Sequence, residues 1–363
     1  MRKLASIQKI KSVEPIEGAD YIELVHVLGW QCVANKGQFK EGDWCIYFEI
    51  DSFLPIREPF EFLRKSSYKH NNYMGEGFLL KTMKFKGQIS QGLVMPIDEV
   101  LPALDQHGLF KVGAITSDPA HMEGADVTDI LGVREWEVPE MVTGSGTTIG
   151  QASRYIHITD ETRVQSAPEL MQEFGHDPYY ITTKMDGSSH SICIASDGTF
   201  HVFGHNFEYK DDGQSAFYEF VKANEMEVKL RAWMREFGAD SITVQGEWCG
   251  EGIQKNRMQL KKPNWFVFTV DINGERQTWD TIDTVAAAIG ATTVPFEETG
   301  EDFLSAYPTE ESLLARAGEN RCHAYPGQCE GIVIRPQTVR HSTILDGRPL
   351  SMKVINNKYL LKK

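Results

Sequence analysis

The stretch YYITTKMDGSSHSICIAS, residues 179–196, decides the fold of the second half of this chain. β-Branched and aromatic residues occupy both of its ends, whereas Lys184, Asp186 and Gly187 interrupt the middle. The Asp-Gly pair alone is typical of a surface hairpin between two strands. The same three residues would also suit a lysine nucleophile held beside a phosphate. Because a Lys-x-Asp-Gly match occurs by chance in roughly one chain in ten of this length, other segments must decide.

Length and composition indicate a folded protein with two domains. The chain has 363 residues, of which 41% are hydrophobic and 24% are charged. No apolar run is long enough for a membrane span, and the first residues lack the apolar core of a secretory signal. The cysteines form no C-x-x-C pair, which favours reduced thiols and a cytoplasmic location over a disulfide framework or a zinc site. They are Cys32, Cys45, Cys193, Cys249, Cys322 and Cys329.

The net charge of −14 argues at first against a polyanionic partner, since a negative field slows the approach of nucleic acid. The positive charges are unevenly spread, however. The segment LLKTMKFKGQ carries Lys81, Lys84 and Lys86, and its alternation predicts the last two on one face of a strand. The final SMKVINNKYLLKK contains four lysines and no acid. Net charge therefore leaves an RNA partner open.

The first hundred residues read as short strands separated by glycine-containing turns, which predicts a small β-barrel. The opening SVEPIEGADYIELVHV also resembles the first strands of tRNA-binding OB-fold domains. After a polar, glycine-rich stretch, strands and helices mix, with a helix expected from the Ser-Ala-Pro start at residue 166. The sequence thus predicts an α+β protein with an OB-fold-like domain over 1–135, a linker over 136–155 and a second domain over 156–363.

Six segments of the second half occur in an order that one enzyme superfamily uses. They are KMDG (184–187), VFGHN (202–206), QGEWCGEGIQKN (245–256), WFVFTVDI (265–272), EGIVIRP (330–336) and SMKVINNKY (351–359). The set resembles the covalent nucleotidyltransferases, and most closely the ATP-dependent RNA ligases of the Deinococcus and Naegleria type with an N-terminal OB domain. TDETRVQS, just upstream, is also typical of that group. The resemblance implies a nucleotidyltransferase domain built on antiparallel sheets with flanking helices.

The resemblance also implies the chemistry. Lys184 would attack the α-phosphorus of ATP and carry AMP, which then passes to an RNA 5′-phosphate before a 3′-hydroxyl displaces it. A free lysine is almost fully protonated at neutral pH, so a nearby cation must favour the amine. Asp186 and Glu330 would hold hydrated Mg²⁺ or Mn²⁺, which suits carboxylates. Lys353 would contact the α-phosphate, and Gly187 would line the same nucleotide site.

Four further residues follow from the same motifs. Glu247 would accept hydrogen bonds from the ribose, Phe268 would stack on adenine, and Arg163 and Asn206 would contact phosphate or ribose. Taken singly, Phe268 reads more simply as a core aromatic, and the lysine-rich end of the chain as a solvated face. Their order within the motif set favours the functional interpretation.

Two positions depart from the family pattern. RNA ligases of phage usually have Lys-x-Lys in the last motif, whereas Ile355 occupies the second place here, so Lys358 becomes a candidate substitute. The basic residue of VFGHN is His205, where arginine is usual. Neither change touches the proposed nucleophile.

Three other functions remain open at this point. A DNA ligase or a GTP-dependent mRNA-capping guanylyltransferase uses the same lysine motif, but both usually carry an OB domain after the last motif, which is not expected here. An inactive RNA-binding relative would not need all of Lys184, Asp186, Glu247, Glu330 and Lys353. The sequence therefore predicts a monomeric RNA ligase that seals nicks or breaks with 3′-hydroxyl and 5′-phosphate ends during RNA repair.

Overall fold

A computed structural model describes residues 2–104, 119–136, 148–152, 156, 160–319, 325 and 327–361 of the chain. Contacts divide the chain into a first unit of Met1–Met141, Gln165–Pro168 and Leu360–Lys363 and a second unit of Val142–Val164 and Glu169–Tyr359. Cys322 and most of the expected linker lie outside the described residues. The domain boundaries drawn from the sequence stay predictions.

The first unit consists mainly of short strands. They are β1 (Ala5–Pro15), β2 (Ile22–Val27), β3 (Trp30–Asn35), β4 (Trp44–Phe48), β5 (Ser52–Leu54), β6 (Tyr68–Asn71), β7 (Gly75–Leu79), β8 (Met83–Phe85), β9 (Gln88–Ser90), β10 (Leu93–Pro96) and β11 (Arg134–Glu135). One antiparallel sheet has the order β10-β4-β1-β2-β3 and another has β11-β5-β7-β6, while β8 and β9 form a separate hairpin. Helices α1 (Arg64–Ser67) and α2 (Ile97–Leu104) complete the unit.

The core of the first unit forms because alternate residues of the strands are apolar. Ile7, Ile46 and Phe48 are fully buried in it. The β8–β9 hairpin contradicts one expectation, since β8 ends at Phe85 and Lys86 adopts a left-handed φ of 45° in the turn. The prediction that Lys84 and Lys86 share a strand face was therefore wrong. Lys84 lies on β8, whereas Lys86 lies in the turn where the chain reverses toward β9.

The second unit contains two sheets. Its strands are β12 (Thr148–Gln151), β13 (Tyr179–Lys184), β14 (Ser188–Ile194), β15 (Phe200–Phe203), β16 (Phe207–Tyr209), β17 (Ile242–Cys249), β18 (Asn264–Ile272), β19 (Glu275–Arg276), β20 (Thr292–Thr293), β21 (Phe296–Gly300), β22 (Gly331–Pro336) and β23 (Met352–Ile355). The larger sheet runs β12-β16-β15-β14-β17-β18-β19, with β20 added in parallel beside β18. The smaller sheet runs β21-β13-β22-β23 and is antiparallel.

The second unit also contains helices. They are α3 (Leu170–Phe174), α4 (Ala216–Ala223), α5 (Met226–Phe237), α6 (Trp279–Ile289), α7 (Phe303–Ala306), α8 (Glu310–Gly318) and α9 (Asn357–Leu360). The helical pattern after Ser215 breaks into α4 and α5 because Glu225 has a left-handed φ of 52°. Apolar side chains of α4, α5 and α6 pack on β14, β17 and β18 in one core.

The helix expected to start at Ser166 begins instead at Leu170, with Glu169 before it and no side-chain cap. The Ser166 hydroxyl donates to the carboxylate of Glu49, and the backbone of Gln165 accepts from Gly29. The predicted N-cap was wrong because the Ser166 hydroxyl and the neighbouring backbone form hydrogen bonds with distant residues of the first unit instead.

Five described cysteines are buried and form no disulfide with one another, namely Cys32, Cys45, Cys193, Cys249 and Cys329. Among the described residues, every helix is too short or too polar to cross a bilayer.

Candidate active site

The KMDG segment connects the two sheets of the second unit. β13 pairs with β21 and β22 in the smaller sheet, whereas β14 pairs with β15 and β17 in the larger one. The surface-hairpin interpretation is therefore excluded, because the strands on either side of Asp186-Gly187 are not partners. Met185 anchors the crossing by burying its side chain beside Cys249 and Phe266. Lys184 and Asp186 consequently sit where the chain passes from one sheet to the other.

Glycine is required at position 187 because β17 approaches the crossing closely. A Cβ atom there would lie 2.5 Å from Sγ of Cys249 and closer still to the carbonyl oxygen of Trp248. The backbone N–H of Gly187 donates to Oε1 of Glu247 at 3.1 Å. The glycine thus joins the two motifs by bringing the backbone of one onto the carboxylate of the other.

Lys184 is held by an ion pair. Its Nζ lies 2.8 Å from Oε2 of Glu330, and register pairs Lys184 on β13 with Gly331 on β22. Burial lowers the pKa of Lys184, but the negative charges of Glu330 and Glu247 outweigh it and raise that pKa above its ordinary value. These carboxylates therefore favour the ammonium form of the lysine, and becoming a nucleophile requires a change in the surrounding charge.

Asp186 presents one occupied and one open oxygen. Oδ1 accepts a hydrogen bond from the hydroxyl of Tyr359 at 2.8 Å. Oδ2 is buried and finds no hydrogen-bond partner among the described residues. Burial, together with the negative charge of Glu330, raises the pKa of Asp186. A buried carboxylate oxygen without a partner is costly, so its environment fits a bound cation or water.

The donor set fits a divalent cation that keeps part of its water shell. Asp186, Glu247 and Glu330 all lie close enough to Lys184 to interact with its charge. Within the described ranges no three His, Cys, Asp or Glu side chains converge into a complete metal cage. Magnesium-like cations commonly bind one or two carboxylates and take their remaining ligands from water and phosphate. Asp186 and Glu330 match that pattern.

Glu247 should make the fold less stable when it ionises. Burial, with the negative charges of Glu330 and Asp186, raises its pKa to about 7 from an ordinary value of 4.5 despite attraction to Lys184. Between pH 4.5 and pH 7 the folded chain retains a proton that the unfolded chain releases, so stability falls across this range and the loss is complete above pH 7. We expect Glu247→Gln to raise the free energy of unfolding by about 2 kcal/mol at pH 8.5 and to leave it nearly unchanged at pH 4.

Urea unfolding at the two pH values measures this difference. Glu251→Gln is the matched control, because Glu251 is exposed in the same segment. If Glu247→Gln raised the free energy of unfolding equally at pH 4 and pH 8.5, the stabilisation would not come from removing an ionised carboxylate.

Lys353 and Arg163 form a buried basic pair. Register aligns Lys353 with Val333 and Thr182, two residues from Lys184 along the same sheet face. A β-bridge joins Arg163 to Lys353, and both are more than nine-tenths buried. Burial lowers the pKa of Lys353 and the charges of Arg163 and Lys184 add to this effect, against an ion pair with Asp160. Such a concentration of positive charge suits a phosphate.

Phe268 lies at a β-bulge. Register shifts between Gln245 and Gly246, so that Phe268 has no direct partner on β17. The side chain is partly buried and lines a pocket together with Thr269, Tyr180 and Arg335. Stacking of its ring on adenine stays a prediction.

Asn206 occupies the turn between β15 and β16 and is exposed. Its carbonyl oxygen accepts from the backbone of Ala152 at 2.9 Å. Contact of Asn206 with a nucleotide therefore stays a prediction. By contrast, the structure brings Lys184, Asp186, Glu247 and Glu330 together.

Sequence reasoning missed several side chains that support the site. Arg335 donates to Glu161 at 2.7 Å and to the carbonyl oxygen of Phe268 at 3.0 Å, which ties β22 to β18. Tyr359 contacts Asp186 across 173 positions of sequence. Tyr359 is the final residue of the last motif, SMKVINNKY, and this position was the one available signal for it.

Two family models match the chain. A model for an OB-fold domain matches residues 4–97, and a model for RNA ligases matches residues 177–355. The comparison with curated proteins gave no match.

The chain is also similar over its whole length to solved structures of Naegleria gruberi RNA ligase. A variant with AMP and Mn is 30% identical with a TM-score of 0.83, covering 100% of this chain and 99% of that one. The structure with PPi is 30% identical with a TM-score of 0.82 and the same coverage. A variant with ATP and Mn is 30% identical with a TM-score of 0.82, covering 99% of each chain.

The two sheets that surround the lysine and carboxylates, preceded by an OB fold, define a nucleotidyltransferase with two domains. The fold class expected from the sequence is thereby confirmed. The chain belongs to the RNA ligase family.

Proposed function

We propose that this RNA ligase uses ATP and Mn²⁺ or Mg²⁺ to join an RNA 3′-hydroxyl to a 5′-phosphate through AMP carried on Lys184. The observation that carries the proposal is the position of Lys184 Nζ, 2.8 Å from Glu330 and beside Asp186 at the crossing between two sheets. Similarity to Naegleria structures that contain ATP, AMP, PPi and Mn supports the choice of nucleotide and metal.

Each side chain has a defined task in the proposed reaction. The amine of Lys184 attacks the α-phosphorus of ATP, a nitrogen–phosphorus bond forms, and the bond to the leaving pyrophosphate breaks. A cation bound at Asp186 and Glu330 supplies charge neutralisation at the phosphates and disfavours the ammonium form of the lysine. Lys353 and Arg163 face the negative charge that develops on the phosphoryl oxygens.

The nucleoside is held by a different group of residues. Glu247 accepts hydrogen bonds from the ribose, Phe268 stacks on adenine, and Asn206 contacts ribose or phosphate. The RNA 5′-phosphate then takes AMP from Lys184, and the 3′-hydroxyl attacks that end and releases AMP, so that one phosphodiester forms for each ATP consumed. Gly187 keeps the backbone close enough for Glu247 to reach this site.

Intact-protein mass spectrometry tests the proposed function. The protein is first stripped of bound nucleotide and then incubated with ATP or GTP and Mn²⁺. We expect a mass gain of one AMP with ATP and none with GTP. A gain from GTP alone would indicate a capping guanylyltransferase. The absence of an adduct with either nucleotide would favour a non-catalytic RNA-binding protein.

The first unit is proposed to bind the RNA strand that bears the 3′-hydroxyl. The β8–β9 hairpin exposes Lys84, Lys86, Met83 and Phe85, which combines positive charge with an apolar and aromatic surface suited to single strands. Exposed Lys81 lies just before the hairpin. The positive charge of this segment would attract RNA phosphates despite the overall negative charge of the chain.

Neutralising these lysines should weaken RNA binding in a salt-dependent way. We expect the triple substitution of Lys81, Lys84 and Lys86 by glutamine to reduce affinity about tenfold at low salt. The slope of log affinity against log salt should fall by roughly 2, since each single-strand phosphate contact contributes about 0.7. Fluorescence anisotropy with a labelled RNA measures both quantities.

The matched control replaces three exposed lysines elsewhere in the same unit, namely Lys11, Lys36 and Lys40. If both triple variants lose affinity and salt dependence equally, the hairpin has no special role in RNA binding.

We further propose that the enzyme is a cytoplasmic monomer that acts on nicks or breaks in RNA repair. A comparison of nicked, bridged and single-stranded substrates would rank the ends it uses.

A further inference from the structure

The two oxygens of Asp186 have different environments, although both belong to one carboxylate. The hydroxyl of Tyr359 donates to Oδ1 at 2.8 Å. Oδ2 is buried and unpaired within the described part of the chain. A hydrogen bond at one oxygen limits rotation of the carboxylate and therefore fixes the direction of the other. Tyr359 thus determines where the open oxygen points.

Tyr359 is itself held in place from three sides. The guanidinium carbon of Arg257 lies 4.2 Å from the centre of its ring, and Nη1 of Arg257 donates to its carbonyl oxygen at 3.0 Å. Its backbone N–H donates to the carbonyl oxygen of Asn356 at 2.9 Å. Only 4% of its surface is exposed. The ring therefore has little freedom to turn its hydroxyl away from Asp186.

The same short segment is joined to the second carboxylate of the site. The backbone N–H of Asn356 donates to the carbonyl oxygen of Glu330 at 2.9 Å. Its side chain accepts from the backbone of Lys358 at 2.9 Å and stabilises the first turn of α9. Residues 356–359 thus form one hydrogen-bonded connection between Glu330 and Asp186.

We infer that Tyr359 is a positioning residue that orients Asp186 for a divalent cation and holds it in register with Glu330. The inference rests on the proposed function for the role of Asp186. Partners that orient metal-binding side chains typically change metal affinity by about 10- to 100-fold when they are removed. A buried tyrosine that only stabilised the fold would not alter the affinity of one carboxylate for a metal.

The molecule provides a matched control for a lost tyrosine hydroxyl. Tyr307 is 8% exposed and donates its hydroxyl to Glu298 at 2.6 Å. Glu298 lies on β21 and also pairs with Arg316, so it belongs to a structural network. Tyr307→Phe therefore removes the same group from a carboxylate that has no proposed metal.

The experiment titrates the full-length protein with Mn²⁺ alone and follows the free-ion signal by electron paramagnetic resonance. Binding that disappears in Asp186→Asn defines the site. We expect Tyr359→Phe to raise the dissociation constant at this site at least about tenfold and Tyr307→Phe to change it less than twofold. In the Asp186→Asn background, adding Tyr359→Phe should have no further effect on Mn²⁺ binding.

Three results would overturn the inference. They are wild-type affinity in Tyr359→Phe, an equal loss in Tyr307→Phe, and the absence of Asp186-dependent Mn²⁺ binding in the wild type. The AMP adduct of the wild type, read by mass on the same samples, tests the proposed function separately. A missing adduct would remove that function, while the titration would still decide whether Tyr359 acts through Asp186.

Discussion

Lys184→Ala is expected to abolish the AMP adduct and to leave the protein able to seal RNA whose 5′ end already carries AMP. Only the first step needs a nucleophilic amine, because the later steps use oxygens of the RNA as nucleophiles. We expect adduct formation and ATP-dependent sealing to fall by roughly a thousandfold or more, which removal of a catalytic nucleophile commonly causes. Intact mass and gel assays with ATP and with pre-adenylylated RNA measure the two activities.

Lys184→Arg separates the nucleophile from its charge. Arginine can keep the ion pair with Glu330 but stays protonated, so it should also fail to form the adduct. Removing the cation by Lys184→Ala leaves partly buried carboxylates without their partner and should lower stability, so each variant is compared by thermal unfolding. An adduct at the wild-type level in both variants, or AMP mapped to another lysine by peptide analysis, would contradict the assignment.

Lys353→Met is expected to slow both adduct formation and sealing by about a hundredfold or more. Lys353 is 7% exposed and lies beside Arg163 on the face that carries Lys184. The second lysine of the usual last motif is replaced by buried Ile355, so β23 offers one lysine to the phosphates. Loss of the positive charge of Lys353 should slow the reaction, because phosphoryl transfer spreads negative charge over the phosphate oxygens in the transition state.

Lys358→Met is the control for this prediction and tests the alternative drawn from the sequence. Lys358 is exposed on α9, and we expect its replacement to change both rates less than about threefold. Lys353 is paired with Asp160, whose side chain is 58% exposed, so Lys353→Met leaves that carboxylate in contact with water. A hundredfold loss in Lys358→Met with little loss in Lys353→Met would assign the phosphate contact to Lys358.

Local sequence predicted the regular elements where one face of a strand or helix is apolar. The β-branched and aromatic segments YYITTK (179–184) and NWFVFTVDI (264–272) form β13 and β18. The predicted cap was less reliable, since Ser166 bonds to Glu49, whereas Ser215, which was not predicted as a cap, caps α4. A hydroxyl next to a helix start is available to any partner, and only the folded chain decides which one it meets.

For the candidate site too, the sequence predicted some features and missed others. Motif order identified Lys184, Glu247 and Glu330, because each lies in a short segment whose residue types suit phosphate and metal chemistry. Nothing in the local pattern indicated that Tyr359 would reach Asp186 or that Arg335 would tie two sheets together. Those contacts depend on strands and termini that are far apart in sequence.

The sequence by itself determined the family, the fold class and the chemical identity of the reactive groups, since these follow from residue types in a set order. The tertiary structure alone decided that KMDG crosses between two sheets, with Lys184 beside Glu330 and one open oxygen on Asp186. The physical reason is that a hairpin and a crossing share the same local Asp-Gly signal. They differ only in which distant strands supply the hydrogen bonds, and this is a property of the whole fold.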